Sequence, residues 1–464
     1  MDFAYPFLQV QFTKDGAVFA PAEVDALISI VTAAENAPTD LLLMSHGWNN
    51  NMDDAKSLYS GLAAVIKPQI DANPTLKERR FVICGVLWPS KKFDDEDLIP
   101  SGAASLEEAA TPDDLKRKVR DLRSLYAAAD WPSTAGAAPA DFDELERLMD
   151  TVSDDPADQK KAADLIRNLL PKDAASSDDA SDVFFDLGTS TLIDKLSKPL
   201  TPPAIPVGNA AAALDPFRTV AESGLGGAAG FRDVLGGIKA GFLHLLNYAT
   251  YYVMKARAGA VGVQGVAPLI QKLRGSRPNL RIHIIGHSFG CRALTAAINA
   301  LPENESFRPD TVLLLQGAFS HNGFANKAGG VDRGAFRDVV DKQKVRGPIL
   351  ITHTRNDKAV GIAYPIASRI NGVTAAALGD ANDKFGSLGC NGAQTRISTP
   401  ESVSGLLLPV GQQYPFAAPV KPSTPFNLKS DDFIKGHSDV KHPEVGFALA
   451  VAMSTPQDQQ DQGH

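Results

Sequence analysis

Short apolar runs alternate along the chain with stretches of helical periodicity. The runs have the length of strands and little polar alternation; they are Leu41–Met44, Phe81–Trp88, Leu280–Ile285, Thr311–Leu315 and Ile349–Thr354. Strands buried on both faces lose the period-two alternation, and such strands alternating with helices form parallel sheets. We therefore predict an α/β fold with a mostly parallel central sheet flanked by helices. Before the first run, Phe7–Phe12 and Ala17–Phe19 predict a hairpin around Gly16.

One long segment interrupts this alternation of strands and helices, because it contains no apolar run as long and continuous as those above. Residues 91–200 hold 14 Lys or Arg and 25 Asp or Glu, so the segment is strongly acidic. Helical patterns cover Thr111–Ala128, Asp141–Val152, Ala157–Leu170 and Gly230–Ala249. We predict four parts: a first core segment at 1–90, a helical cap insertion at 91–246, a second core segment at 247–453 and a disordered tail at 454–464. The insertion follows the strand that ends at Trp88, so we expect it to lean over that edge of the sheet.

Composition narrows the classes of partner. The chain has 464 residues and a net charge of −8, and a mildly acidic protein is a poor match for nucleic acid. Three cysteines form no disulfide framework, and we find neither a signal peptide nor an apolar run long enough to span a membrane. We therefore expect a cytoplasmic protein without stable membrane insertion, with lipid contact through residues 230–249 left open.

The strongest local feature is Gly286-His287-Ser288-Phe289-Gly290, which matches the G-x-S-x-G pattern of a nucleophile elbow. An apolar strand pattern leads into it and a small-residue helix pattern leads out of it. Such a turn lifts a serine hydroxyl off the backbone, and the glycines remove side chains that would collide there. The following helix N-terminus favours developing negative charge. We therefore predict that Ser288 is a nucleophile; the alternative is an ordinary serine in a strand–helix turn.

A serine hydroxyl needs a base, and the base needs a carboxylate to orient it. Asp357 lies just past the Ile349–Thr354 run, where sites form in open α/β sheets, and is our predicted acid. Asp332 is the next candidate. His437, in a polar loop before the last predicted helix, is the predicted base. His442 is the alternative, although its position before Pro443 favours the start of that helix.

Two backbone N–H groups are needed for the oxyanion of an acyl-transfer reaction. The residue after the nucleophile, Phe289, supplies one of them. The second comes from a loop after an early strand. The segment Ser45-His46-Gly47-Trp48 occupies that place, so Gly47 is expected to permit a tight turn and Trp48 to donate, with His46 in support. An Asn-rich turn that caps the next helix is the plainer interpretation.

Together these motifs resemble the serine α/β-hydrolase superfamily, in its esterase and lipase branch. The resemblance covers about 300 residues outside 91–246 and implies an eight-stranded, mostly parallel sheet and an acyl-serine intermediate. It implies hydrolysis of a small-molecule ester without metal or organic cofactor, since the histidines lack zinc-site spacing and the Gly-rich stretches lack a phosphate-loop Lys. A thioesterase, a lipase or phospholipase, a serine peptidase and a non-catalytic binding module on this fold remain alternatives.

Overall fold

A computed structural model describes residues 2–48, 50–90, 111–127, 139–172, 181–197, 237–328, 331–357, 370, 384–395, 401–418 and 420–455. The strands are β1 Phe7–Gln11, β2 Asp40–Ser45, β3 Phe81–Leu87, β4 Arg281–His287, β5 Thr311–Leu315, β6 Asn326–Ala328, β7 Val331–Arg333, β8 Ile349–His353, β9 Val403–Leu406 and β10 Pro425–Lys429. The helices are α1 Pro21–Val31, α2 Met52–Ala72, α3 Pro112–Ala127, α4 Pro139–Leu148, α5 Pro156–Leu169, α6 Ser181–Asp186, α7 Thr189–Leu196, α8 Ile238–Ala260, α9 Ala267–Ser276, α10 Phe289–Ala300, α11 Arg337–Asp341, α12 Leu388–Asn391 and α13 Pro443–Ser454. The predicted tail at 454–464 lies outside these ranges after Thr455.

Eight strands form one sheet in the order β1-β3-β2-β4-β5-β8-β10-β9, and every pair in it is parallel. The α/β fold with a central parallel sheet is therefore confirmed. β6 and β7 form a separate antiparallel pair. The predicted opening hairpin is present only as a short antiparallel return with one bridge, between Phe12 and Val18, while the ladder of β1 is formed in parallel with β3. The open edge of β3 offers β1 a full ladder, which that short return cannot supply.

Neighbouring residues of the central strands point to opposite faces of the sheet, and both faces are covered. Leu41 and Leu43 of β2 pack into a cluster with helices α1 and α8 to α10. Leu42 and Met44 pack into a second cluster with α2 and α13. All four side chains are fully buried, and each such burial contributes roughly 1.5–3 kcal/mol. Double-sided burial explains why these strands read as continuous apolar runs.

The inserted helices share the first of these clusters instead of forming a core of their own. Leu115 of α3, Phe142 of α4 and Ile166 of α5 belong to it together with Phe242 of α8. Helix α8 is tied to its surroundings by Arg257, whose guanidinium donates to the carbonyl oxygens of Pro89 at 2.8 Å and Leu125 at 2.7 Å. Burial lowers the pKa of this Arg257 to about 10.

The predicted helix Gly230–Ala249 corresponds to α8 and ends earlier than the helix in the structure. Residues 230–236 lie outside the described ranges, and α8 continues from Ile238 to Ala260, so the boundary predicted at 246/247 falls inside it. The helix continues because the residues after Ala249, such as Tyr252 and Met254, are buried as well. Phe242 and Leu246 are also fully buried inside the protein, so in this conformation they offer no surface to a lipid. No helix in the described ranges is long and apolar enough to cross a membrane.

A buried polar network joins the amino ends of β2 and β4, opposite the edge where the strands end. Asp40 is fully buried and accepts hydrogen bonds from Arg79 Nε at 2.9 Å and from His283 Nε2 at 2.9 Å. Burial alone would raise the pKa of the Asp40 carboxyl, but the hydrogen bonds and charges of His283 and Arg79 hold it well below its usual range. Arg79 also donates to the carbonyl of Met453 in α13, so the network ties the last helix to the sheet.

Asp40→Asn is expected to lower the free energy of unfolding by about 3 kcal/mol, because it leaves the Arg79 charge without its buried partner. Since the pKa of Asp40 is depressed in the folded state, its contribution is present above about pH 4 and is lost as the pH falls further. Urea unfolding of both proteins between neutral and acidic pH measures this. Asp25→Asn, at an exposed pair with Lys272, is the control and should change stability by less than about 0.5 kcal/mol. Equal stability of wild type and Asp40→Asn at neutral pH would contradict the account.

Candidate active site

Ser288 lies in a sharp turn between the end of β4 and the start of α10. Its φ of 57° and ψ of −125° fall where a non-glycine residue is strained, and the residue is buried. Both glycines of the G-x-S-x-G motif allow other parts of the backbone to approach the turn closely. A Cβ at Gly286 would lie 2.7 Å from Cα of Cys291, and one at Gly290 would overlap the carbonyl groups of Ser45 and His46.

The turn is held in place by the segment that follows β5. The backbone N–H of Ser288 donates to the carbonyl oxygen of Leu315 at 3.0 Å, and the carbonyl oxygen of Ser288 accepts from Ala318 N–H at 3.1 Å. These two bonds fix both sides of the strained residue. The strain at Ser288 is therefore offset by pairing with the neighbouring strand.

The loop after β2 lies directly against the serine. A Cβ built on Gly47 would overlap Cβ of Ser288 and stand 2.9 Å from its Oγ. Only glycine permits this approach. The structure thus places side by side the Gly47 segment and the Ser288 hydroxyl, which two separate sequence patterns had singled out. The ring of Trp48 meets the ring of Phe289 edge-on, with centroids 6.1 Å apart, which packs the loop onto the first turn of α10.

His46 fixes the direction of the peptide between Gly47 and Trp48. Its Nδ1 lies 2.8 Å from the Gly47 carbonyl oxygen and its Nε2 accepts from Trp88 N–H, so Nδ1 carries the proton and donates. Burial lowers the pKa of His46 to about 4, which keeps the ring neutral. In a trans peptide the C=O and N–H point in opposite directions, so this bond turns the Trp48 N–H away from His46. The backbone N–H of His46 in turn donates to the Tyr59 hydroxyl at 2.8 Å.

His437 and Asp357 form a hydrogen-bonded pair at the same edge of the sheet. Nδ1 of His437 lies 2.8 Å from Oδ2 of Asp357, although the residues are 80 positions apart. Asp357 follows β8 and its side chain is fully buried, whereas the His437 side chain is 19% exposed. A carboxylate only accepts, so Nδ1 of His437 carries the proton of this hydrogen bond and donates it. Asn356 donates to the Ile434 carbonyl at 3.1 Å and joins the two loops.

His287 connects this pair to the serine. Its Nε2 donates to the carbonyl oxygen of His437 at 2.8 Å, and the two imidazole rings lie 4.8 Å apart. Burial lowers the pKa of His287 to about 3, so this donor stays neutral. Within the described residues no direct hydrogen bond joins the Ser288 hydroxyl to the His437 ring. In this structure the two residues are linked through His287, the last residue of β4, which precedes Ser288 in the chain and bonds the His437 carbonyl oxygen.

The alternative candidates lie elsewhere. His442 is the residue before α13 and bonds Asp439 at 2.9 Å. Asp332 is in β7, in the separate two-stranded pair.

Two residues at this site were not predicted from the sequence. The hydroxyl of Tyr59 bridges the strands by accepting from His46 and donating to the Val86 carbonyl at 2.6 Å. The side chain of Gln316 donates from Nε2 to Oδ2 of Asp357 at 3.1 Å. Gln316 directly follows the apolar run of β5, the same strand-end position that singles out residues at this edge, so a signal for it existed. Tyr59 had none, since it reads as one more apolar position of α2.

Ligands for a metal do not converge among the described residues, where no group of three His, Cys, Asp or Glu could hold an ion. The groups that the site does bring together are a strained serine, an imidazole, a buried carboxylate and backbone N–H groups at the start of a helix. Comparison of the chain with known proteins found no match to a family model, a curated protein or a solved structure.

Proposed function

We propose that this protein is a serine hydrolase that cleaves carboxylic esters of small molecules through an acyl-serine intermediate. The observation that carries the proposal is the hydrogen bond between His437 Nδ1 and Asp357 Oδ2, formed between distant loops beside the turn that holds Ser288. A buried carboxylate that fixes a histidine tautomer next to a strained serine is the arrangement that nucleophilic acyl transfer requires.

In the first half of the reaction, Nε2 of His437 takes the hydroxyl proton of Ser288 while Oγ attacks the acyl carbon. The carbonyl oxygen becomes an oxyanion, and the N–H groups of Trp48 and Phe289 stabilise it. The tetrahedral intermediate collapses when His437 gives its proton to the leaving alcohol. In the second half, His437 removes a proton from water, which attacks the acyl-serine, and returns that proton to Ser288 as the acid leaves. Asp357 stabilises the imidazolium formed in each half.

We also propose that the protein has the arrangement of an α/β-hydrolase. The serine follows the central strand β4, the acid follows β8 and the base follows β10, which is the chain order serine, acid, histidine of α/β-hydrolases. The insertion leaves the core after β3 and leads into helix α8. The ring of Tyr251 in α8 lies 5.4 Å from that of Phe289, the residue after the serine. We propose that the insertion acts as a cap that shapes the acyl site.

Ser288→Ala is expected to abolish ester hydrolysis and covalent labelling by a fluorophosphonate, because no other described group occupies the elbow. The loss in kcat should be on the order of 10⁶. Turnover of p-nitrophenyl esters of graded chain length, together with the matched thioesters, measures activity and acyl preference at once. Labelling of the alanine variant at another serine would contradict the assignment.

His437→Ala is expected to be at least as damaging as Asp357→Asn, since the histidine transfers the proton and the aspartate only orients it. Each should reduce kcat by roughly 10⁴ or more. His442→Ala is the matched control, being five positions away and bonded to Asp439 instead, and should stay within about twofold of wild type. An active His437→Ala beside an inactive His442→Ala would show that the wrong histidine was chosen.

Gly47→Ala is expected to reduce kcat by about 10² to 10³, because the new Cβ pushes the oxyanion loop away from Ser288. Gly275→Ala is the control, since a Cβ there meets no atom within 4 Å. Steady-state kinetics measure the effect, and thermal unfolding verifies that both variants fold. Wild-type kcat in a folded Gly47→Ala would rule out this loop as the oxyanion site.

A further inference from the structure

The side chain of Gln316 lies behind the acid at the end of β5 and is completely buried. Its Nε2 donates to Oδ2 of Asp357 at 3.1 Å and to the carbonyl oxygen of Gly389 at 3.1 Å. Its Oε1 accepts from the hydroxyl of Thr352 in β8 at 3.0 Å. Every polar atom of the amide therefore has a partner.

The orientation of this amide is determined by its neighbours. The Asp357 carboxylate and the Gly389 carbonyl can only accept, so the end that faces them must be the NH₂ group. The Thr352 hydroxyl, which also accepts from the Gln316 backbone N–H at 3.3 Å, holds the other end. Gln316 consequently donates to the same carboxylate oxygen that accepts from His437.

The backbone of Gln316 is strained as well. Its φ is 47°, a left-handed conformation that glycine adopts far more easily than glutamine. The strained residue lies within the segment that holds the serine, between Leu315, which accepts from Ser288 N–H, and Ala318, which donates to its carbonyl. In this conformation the side-chain amide of Gln316 makes hydrogen bonds that a glycine could not supply.

We propose that Gln316 is a positioning residue, which holds the carboxylate of Asp357 in the orientation that directs Oδ2 at Nδ1 of His437. The proposal rests on the proposed function for its effect on turnover. Its geometry does not, because the bond from Gln316 to Asp357 exists whatever the substrate. By joining β5 to the acid, Gln316 couples the segment that fixes the serine to the pair that activates it.

Four ionisable groups packed near the pair, which are His287, His353, Cys390 and Asp431, keep one charge state between pH 6 and pH 9. Burial lowers the pKa of His287 to about 3 and that of His353 to about 4. Burial raises the pKa of Cys390, whose Sγ donates to the Asp357 carbonyl, to about 12. Burial opposes the shift at Asp431, but hydrogen bonds from Thr354 and Lys429 lower its pKa, so it stays ionised. A new pH dependence in this range would arise from the substituted position or from its effect on the His437–Asp357 pair.

The test compares Gln316→Met, Gln316→Glu and wild type, with Thr311→Val as control at the opposite end of the same buried strand. Gln316→Met removes the donor at similar size and should lower kcat by about tenfold to a hundredfold with KM within about twofold. In Gln316→Glu the two buried carboxylates share one proton at low pH, so the new side chain still donates; at high pH the proton leaves and the carboxylates repel. The ratio of wild-type to Gln316→Glu kcat should therefore rise at least about tenfold from pH 6 to pH 9.

A second measurement needs no turnover. Proton NMR observes the downfield Nδ1–H signal of the His437–Asp357 hydrogen bond, assigned by its absence in His437→Ala. It should be present in wild type and Thr311→Val, be lost in Gln316→Met, and appear in Gln316→Glu only at low pH. If the four proteins show this pattern of NMR signals but the wild-type protein hydrolyses no ester, the proposed function fails and the positioning role stands. Wild-type kcat and an unchanged signal in both Gln316 variants, or an equal loss in Gln316→Glu at every pH, would overturn the positioning role.

Discussion

The parallel pairing of all eight strands brings the carboxyl end of each strand to one edge of the sheet, and the site depends on this constraint. Loops that carry Gly47, Ser288, Gln316, Asp357 and His437 follow five different strands. All five strands, β2, β4, β5, β8 and β10, are consecutive neighbours in the sheet. Residues separated by almost 400 positions therefore reach one another without any long excursion of the chain.

Close backbone approach is the second requirement at this edge. Gly47 meets Ser288, and Gly290 meets the end of β2, at distances that no Cβ would tolerate. Backbone hydrogen bonds to Leu315 and Ala318 hold Ser288 in its strained conformation. Gln316, which lies between these two residues, is strained as well. Two strained residues thus follow neighbouring strands, and the sheet beneath them supplies the stability that offsets their conformation.

Local patterns in the sequence predicted much of this arrangement. The central strands, the elbow glycines and the helices from Thr111 to Leu170 follow from periodicity and turn chemistry, which act over a few residues. Asp357 was singled out by its place after a strand run and His437 by its polar loop before the last helix, and the structure brings the two side chains together. Their catalytic role stays a prediction.

What the sequence could not supply depends on which strands are neighbours. The amide of Gln316 reaches Asp357 only because β5 lies beside β8, and no local pattern states that order. The parallel course of β1 has the same cause, since its partner β3 lies about 70 residues further on and the nearer return segment predicts a hairpin. The short, exposed β9 was missed because a strand on the open edge of a sheet needs no continuous apolar run.

The most direct test of the central claim is to trap the intermediate. The protein is mixed with p-nitrophenyl acetate, quenched in acid during turnover, digested and analysed by mass spectrometry. The account predicts one acetyl group, located on Ser288, that accumulates during turnover and disappears once the ester is exhausted. Release of p-nitrophenol with the acetyl group on another residue, such as Cys390, or with no acylated peptide while Ser288→Ala remains active, would contradict it.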